Sequence, residues 1–209
     1  MQQLRTIIKK IPGARWLATR LGLVPSERRG FLLHLFPQHS IGAEIGVHMG
    51  DFSQRMLDHV SPKELHLIDP WEHHTSAEYR YAWYGGAAKR GQDEMDLRYA
   101  SVCNRFSNEI DAGRVEIHRG YSKEVLEKLP DEYLDWIYID GNHLYEYVLQ
   151  DLELSLTKTK PGGLITGDDY TEGGWWQGGV KKAVDEFAGR ESVDLVEVRH
   201  RQFIFRKKA

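Results

Sequence analysis

An open α/β sheet, mostly parallel and wound on both faces, is the fold the sequence predicts, and three observations predict it. From residue 41 onward, short apolar runs of strand type alternate with segments of helical period. The first run leads into a glycine turn, Gly46-Val47-His48-Met49-Gly50, of the kind that joins a strand to a helix. The last two runs, residues 193–198 and 203–205, are separated only by Arg199, His200, Arg201 and Gln202, which is too short for anything but an antiparallel pair.

In chain order, Leu4, Ile7, Ile8 and Ile11 follow helical spacing until Pro12-Gly13 interrupts, and Trp16, Leu17 and Leu21 resume it. Residues 1–30 therefore read as a helical arm. They carry Arg5, Lys9, Lys10, Arg15, Arg20, Arg28 and Arg29 against Glu27 alone, a local balance of +6 that leaves −9 for the rest. Such a basic amphipathic arm suits a membrane surface, an anionic substrate or a partner subunit, or a solvated face of its own domain. Residues 31–209 form one domain: strands at 41–47, 65–68, 115–118, 134–139 and 164–166, helices near 52–60, 123–128, 145–157 and 180–187, and the final hairpin. That makes a Rossmann-like, doubly wound, seven-stranded sheet. A polar-aromatic stretch at about 72–112 interrupts it and is expected to be a lid insertion, with a second loop at 173–179.

The net charge of −3 argues against a general nucleic-acid binder, which needs a net basic face. The single cysteine, Cys103, excludes an intrachain disulfide and a thiolate metal cluster, and reads as a small buried hydrophobe. No stretch approaches the 18–20 apolar residues of a membrane span, and no signal-peptide core is present, so a cytoplasmic protein is expected.

Three acids mark the carboxyl edge of the sheet, where ligands bind in open α/β folds: Asp140, after the run 134–139, and Asp168-Asp169, after 164–166. A lone acid there more often caps a helix, but two clusters on consecutive strands repel one another unless a cation compensates, and hard carboxylate oxygens suit Mg²⁺. His143 stands three residues beyond Asp140 as a nearby titratable nitrogen.

The glycine turn departs from a dinucleotide fingerprint, because Glu44 stands where the first glycine would be; a pyrophosphate would meet an anion, whereas an amino-bearing ligand would not be repelled. Gly46 and Gly50 allow close backbone approach at the following helix. Asp69, about 20 residues on, is placed to accept hydrogen bonds from a ribose diol, and Ser122 after the third strand to reach an adenine edge. Trp71 is read either as stacking on that base or as ordinary packing. Ribose, an aromatic base and no phosphate site describe S-adenosylmethionine better than NAD.

The segments Glu44-Ile45-Gly46-Val47-x-x-Gly50, Ile68-Asp69-Pro70-Trp71, Gly120-Tyr121-Ser122, Asp140-Gly141-Asn142-His143-Leu144-Tyr145-Glu146 and Gly167-Asp168-Asp169 resemble the class I methyltransferases related to macrocin O-methyltransferase and the cephalosporin-biosynthesis methyltransferase. The resemblance spans about residues 41–190. It implies that Glu44, Gly46, Asp69 and Ser122 contact S-adenosylmethionine, that Asp140, Asp168 and Asp169 bind Mg²⁺, with Asp140 also at the cofactor, and that His143 is the general base. Asn142 departs from the pattern, where relatives commonly carry Asp. The chemistry expected is metal-assisted methyl transfer to a hydroxyl of a sugar or other polyhydroxylated small molecule, with the loop aromatics either covering the acceptor or closing a homo-oligomer interface. A non-catalytic S-adenosylmethionine-binding subunit and a Mg²⁺-dependent hydrolase are the rival readings.

Overall fold

The computed structural model describes residues 29–209. A 3₁₀ turn at Gly30–His34 leads to β1 (Ile41–Ile45), α1 (Asp51–Val60) and β2 (Glu64–Asp69). A 3₁₀ turn at Ala77–Tyr79, α2 (Gln92–Arg105) and α3 (Ser107–Asp111) precede β3 (Val115–Arg119), α4 (Ser122–Leu126) and β4 (Leu134–Ile139). The chain continues through α5 (Tyr145–Lys158), β5 (Thr159–Gly167), α6 (Gly179–Phe187), β6 (Val193–Arg199) and β7 (Gln202–Lys207). The sheet runs β3-β2-β1-β4-β5-β7-β6, with β7 antiparallel to both neighbours and the other pairs parallel. The predicted seven strands and closing hairpin are present. Strand order reverses between β1 and β4, which opens the ligand crevice of this fold class at their carboxyl ends.

Period-two alternation in the inner strands divides the core into two layers. From β4, Trp136 and Tyr138 face one layer with Phe52 and Met56 of α1, while Ile137 and Ile139 face the other with Leu152 of α5 and Phe187 of α6. Trp136 is fully buried; its ring stacks on Phe36 at 4.2 Å and its Nε1 donates to Ser40 Oγ at 2.8 Å. Gly42 of β1 lies beneath that ring, with no room for a side chain: a β-carbon there would fall 2.1 Å from the indole.

Three expectations need correction. Residues 72–112 are not all lid, because Met95, Val102 and Phe106 recur at helical spacing and are fully buried, making α2 a core helix. Strand β5 starts at Thr159 rather than 164, since Thr159 pairs with Leu134 ahead of a register shift. Arg29, counted with the basic arm, turns instead into the sheet and pairs with Asp140. Residues 1–28 of the arm lie outside the described residues. Among the described residues, no helix is long and apolar enough to cross a membrane.

Gly42→Ala is expected to destabilise the protein by about 1–3 kcal/mol through overpacking against Trp136. A thermal denaturation midpoint equal to that of the parent chain would show that the indole moves aside.

Candidate active site

The carboxyl ends of β1, β2 and β4 are stitched together by backbone. Asp140 N donates to Ile45 O at 2.7 Å, and Gly46 N to Ile68 O at 2.9 Å. Gly46 has φ +89°, and a β-carbon on it would lie 2.0 Å from the Asp140 carbonyl oxygen, so both its conformation and its surroundings require glycine. Around this junction opens a cavity of about 390 Å³. Gly46, Asp69, Ser122 and Asp140 line it, as do His143, Asp168 and Asp169.

Three residues read as cofactor contacts sit behind the wall instead. Glu44 is buried and takes a hydrogen bond from Ser53 Oγ, and burial pushes its carboxyl up to about 8. Trp71 is fully buried, its Nε1 donating to the His48 carbonyl at 3.0 Å and its ring tilted against Tyr99; packing, not stacking on a ligand, is its role here. Gly50 caps α1 in the left-handed region with the Phe106 ring against it.

Asp69 holds the turn after β1. Its Oδ2 accepts from Val47 N at 2.9 Å and His48 N at 3.0 Å, and its Oδ1 from Trp71 N at 2.8 Å. Tyr84 of the covering loop adds a fourth bond, OH to Oδ2, at 2.6 Å. Burial pushes Asp69 up from the usual carboxylate range, and its four donors oppose that shift. A diol binding at Oδ2 must therefore take the place of the Tyr84 hydroxyl or share the oxygen with it, whereas Oδ1 carries only the Trp71 amide. Ser122 Oγ donates to Asp151, a buried acid that also lines the cavity and that burial raises to about 7. The sequence reading missed Asp151, although a signal existed: it falls with Val148, Leu152 and Ser155 on the buried face of α5.

The three acids predicted at the strand ends all reach the cavity, but with unequal surroundings. His143 Nε2 lies 3.5 Å from Asp140 Oδ1 and 3.5 Å from Asp169 Oδ2, and neither of its buried ring nitrogens has a hydrogen-bond partner. Burial alone would lower His143, yet the adjoining Asp140, with help from Asp169 and Asp168, raises it overall. Asp168 is held apart, accepting Gln202 Nε2 at 2.6 Å and the Asp169 amide at 2.6 Å. Burial, then the charge of Asp140, lifts Asp168 to about 6.

Cations and donors from distant segments complete the cluster, and none was foreseen. Arg29 Nη1 pairs with Asp140 Oδ2 at 2.6 Å and donates to Tyr138 OH at 3.1 Å. Tyr138 OH in turn donates to Gln202 Oε1 at 3.1 Å. Arg201 pairs with Asp169. Arg201 and His200 form the two-residue β6–β7 connection, both at positive φ, as a tight hairpin of right-handed twist requires.

Aromatic rings roof the cavity. Tyr79, Trp83 and Tyr84 come from the predicted covering loop and Trp175 from the loop after Asp169. Trp176 lies 4.7 Å from the His143 ring. Asn142 explains its own departure from the acidic pattern: its Oδ1 accepts Leu144 N at 3.0 Å at the start of α5, and its Nδ2 donates to Tyr79 OH at 2.8 Å. A carboxylate in its place could make the second bond only by accepting from the Tyr79 hydroxyl.

The fold is shared with solved methyltransferases. The O-methyltransferase TomG from Streptomyces achromogenes, involved in tomaymycin synthesis and solved with S-adenosylmethionine, is 19% identical and superposes with a TM-score of 0.59 over 92% of this chain and 86% of its own. The O-methyltransferase NovP is 19% identical, with a TM-score of 0.58 over 87% and 76%. The N-methyltransferase NodS from Bradyrhizobium japonicum WM9, solved with S-adenosylhomocysteine, is 16% identical, with a TM-score of 0.56 over 97% and 91%. No curated protein sequence matches the chain. Residues 43–170, which run from β1 to just past Asp168-Asp169 and so hold every residue that the glycine turn and the acids contribute to the cavity, match the family model for a methyltransferase domain, and the chain belongs to that family.

Proposed function

We propose that this protein transfers the methyl group of S-adenosylmethionine to a hydroxyl of a sugar or other polyhydroxylated small molecule, in the manner of the macrocin-type O-methyltransferases. The observation that carries the oxygen acceptor is His143, buried in the cavity with both ring nitrogens unpartnered and two carboxylates 3.5 Å from Nε2. An N-methyltransferase working on a neutral amine needs no such base, and the fold alone serves both chemistries. Because a hydroxyl is a poor nucleophile until it loses its proton, a positioned imidazole is the group such a reaction lacks in water. The His143 imidazole takes that proton, and Asp140 and Asp169, both beside Nε2, stabilise the imidazolium that results.

The donor set fits a hard divalent cation. Asp140, His143 and Asp169 each offer a ligand atom within 4.8 Å of the others. Burial raises Asp168 and Asp169, and the charge of Asp140 adds to both shifts, a repulsion that a dication relieves. Asp140 and Asp169 of that group, with Asp168 beside them, would hold Mg²⁺ and leave His143 as base; Asp168 Oδ1 is already held by Gln202 and the Asp169 amide, so Asp168 would bind through Oδ2. Such an ion, when bound, acidifies the acceptor hydroxyl and fixes its direction. Arg29 and Arg201 neutralise Asp140 and Asp169.

At the other end of the cavity, Asp69 receives the ribose and the Ser122–Asp151 pair faces the base. Tyr79, Trp83 and Trp175 offer ring faces of the kind that sugar rings pack against.

Calorimetry is expected to show S-adenosylmethionine binding that Asp69→Ala weakens at least about tenfold, the scale of one lost charge-assisted bond pair. Binding of NAD in its place would overturn the cofactor assignment. With an accepted substrate, Asp168→Ala or Asp169→Ala is expected to abolish turnover. His143→Ala should instead keep S-adenosylmethionine affinity within about threefold and lower kcat by about 10²–10⁴-fold. A His143→Ala variant with unchanged kcat removes His143 as base, and full turnover in EDTA removes the metal.

Asp151 makes a separate prediction about stability. Its folded pKa near 7 stands above the unfolded value near 3.8, so the folded state holds the proton more tightly and stability falls as pH rises from about 4 to 7. Asp151→Asn has no proton to lose while keeping an acceptor for Ser122. It should therefore gain roughly 1–4 kcal/mol relative to the parent chain between pH 4 and pH 8, read by urea denaturation at both. Equal differences at the two pH values would mean that Asp151 ionises in the fold as freely as in water.

A further inference from the structure

A second group of metal-ligating side chains lies on the β2–β3 edge of the sheet, apart from the cavity. Glu64 and His66 of β2 and Glu116 and His118 of β3 share one face of this pair, because alternate residues point the same way and His66 is in register with Glu116. His66 Nδ1 lies 3.0 Å from His118 Nε2. Glu116 brings one carboxylate oxygen to 3.7 Å from His66 Nδ1 and the other to 3.7 Å from His118 Nε2. Two atoms bound to one ion at about 2.1 Å can be no more than about 4.2 Å apart. Each nearest pair satisfies that limit, the two Glu116 oxygens serving one histidine each, and one ligand atom from each residue lies within 4.8 Å of the others.

The surroundings set the imidazole lone pairs toward one another. The other ring nitrogen of His66, Nε2, faces Glu64 Oε1 at 3.0 Å, and Tyr133 OH donates to Glu64 Oε2 at 2.7 Å. The Glu64 carboxylate stands close to the outer nitrogen without hydrogen-bond alignment, and its charge favours the proton there over Nδ1, the arrangement that orients metal-binding histidines. Without a cation, one proton must be shared between the two facing nitrogens, and Glu116 gains no donor from His66 Nδ1. His66 is buried, His118 nearly so and Glu116 mostly exposed, which leaves a path from solvent to the three ligand atoms.

We propose that His66, Glu116 and His118 form a binding site for a zinc-class divalent ion that clips the edge strand β3 to β2, with Glu64 and Tyr133 orienting His66. Two imidazoles and one carboxylate are a ligand set of Zn²⁺ and its transition-metal neighbours, not of Mg²⁺, so this site and the carboxylate-rich cavity select different ions. Strand β3 has only Val115 fully buried, so its attachment depends on β2 more than on the core. A clip between these strands adds stability in proportion to ion occupancy.

Untagged protein, stripped with chelator and dialysed, is titrated with ZnCl₂ in a calorimeter. The expected result is one equivalent bound with micromolar or tighter affinity and a raised denaturation midpoint, both retained in Asp169→Ala. His118→Gln should weaken that equivalent at least tenfold and remove the rise in midpoint. Should His118→Gln not fold, Glu116→Gln, at an exposed position, reads the same effect. The proposal is overturned if no Zn²⁺ binds at 100-fold excess over about 1 µM, if both substitutions leave affinity unchanged, or if Asp169→Ala removes all binding. None of these outcomes bears on methyl transfer, which the cavity variants test separately.

Discussion

The carbonyl of Asp140 occupies the space in which any residue but glycine at position 46 would carry its side chain, and much of the cavity follows from that contact. The turn after β1 must pass flat against the end of β4, which brings Ile45 O to the Asp140 amide and leaves the Asp140 carboxylate facing the crevice. The same turn points the Val47 and His48 amides at Asp69, so one close backbone approach positions an acid from β2 and another from β4 around a common space. Packing density makes such a junction unforgiving, because an added methyl has nowhere to go.

Charge is the second constraint. Three carboxylates and a histidine in one partly desolvated cluster would cost several kcal/mol if left to themselves. Arg29 and Arg201 offset that cost from opposite sides, and Tyr138 and Gln202 link Arg29 to Asp168 by hydrogen bonds beneath the cavity. The arrangement keeps the acids ionisable without freezing His143, whose nitrogens stay unpartnered.

What was legible in the sequence was what depends on local pattern. Asp69, Asp140, Asp168 and Asp169 each follow an apolar strand run, so their place at the sheet edge could be read directly, and His143 followed from its three-residue offset. Depth could not be read in the same way. Glu44, Gly50 and Trp71 belong to the same short segments yet face inward, because which side of a turn meets the cavity depends on what packs behind it: Ser53 for Glu44, Phe106 for Gly50, Tyr99 for Trp71. Arg29, Arg201 and Gln202 were illegible for a different reason. Each lies more than 30 residues from the acid it meets, and no periodicity links such positions. Asp151 stood between these cases, an acid on an apolar helical face that the pattern contained and the reading passed over.

The closing hairpin has a consequence in time. Strand β7 is the last to be made, yet it lies inside the sheet, between β5 and β6. A chain emerging from its N-terminus presents Asp168 34 residues before Gln202 exists to hold it, and Asp169 32 residues before Arg201. Until β7 inserts, the acids of β5 stand without these partners and the strand has an open edge, the condition in which nascent chains pair wrongly. Assembly of the carboxylate cluster and closure of the sheet are thus a single late event, so a ribosome-bound chain halted before the hairpin would carry the glycine turn and Asp69 in place while Asp168 and Asp169 remained uncompensated.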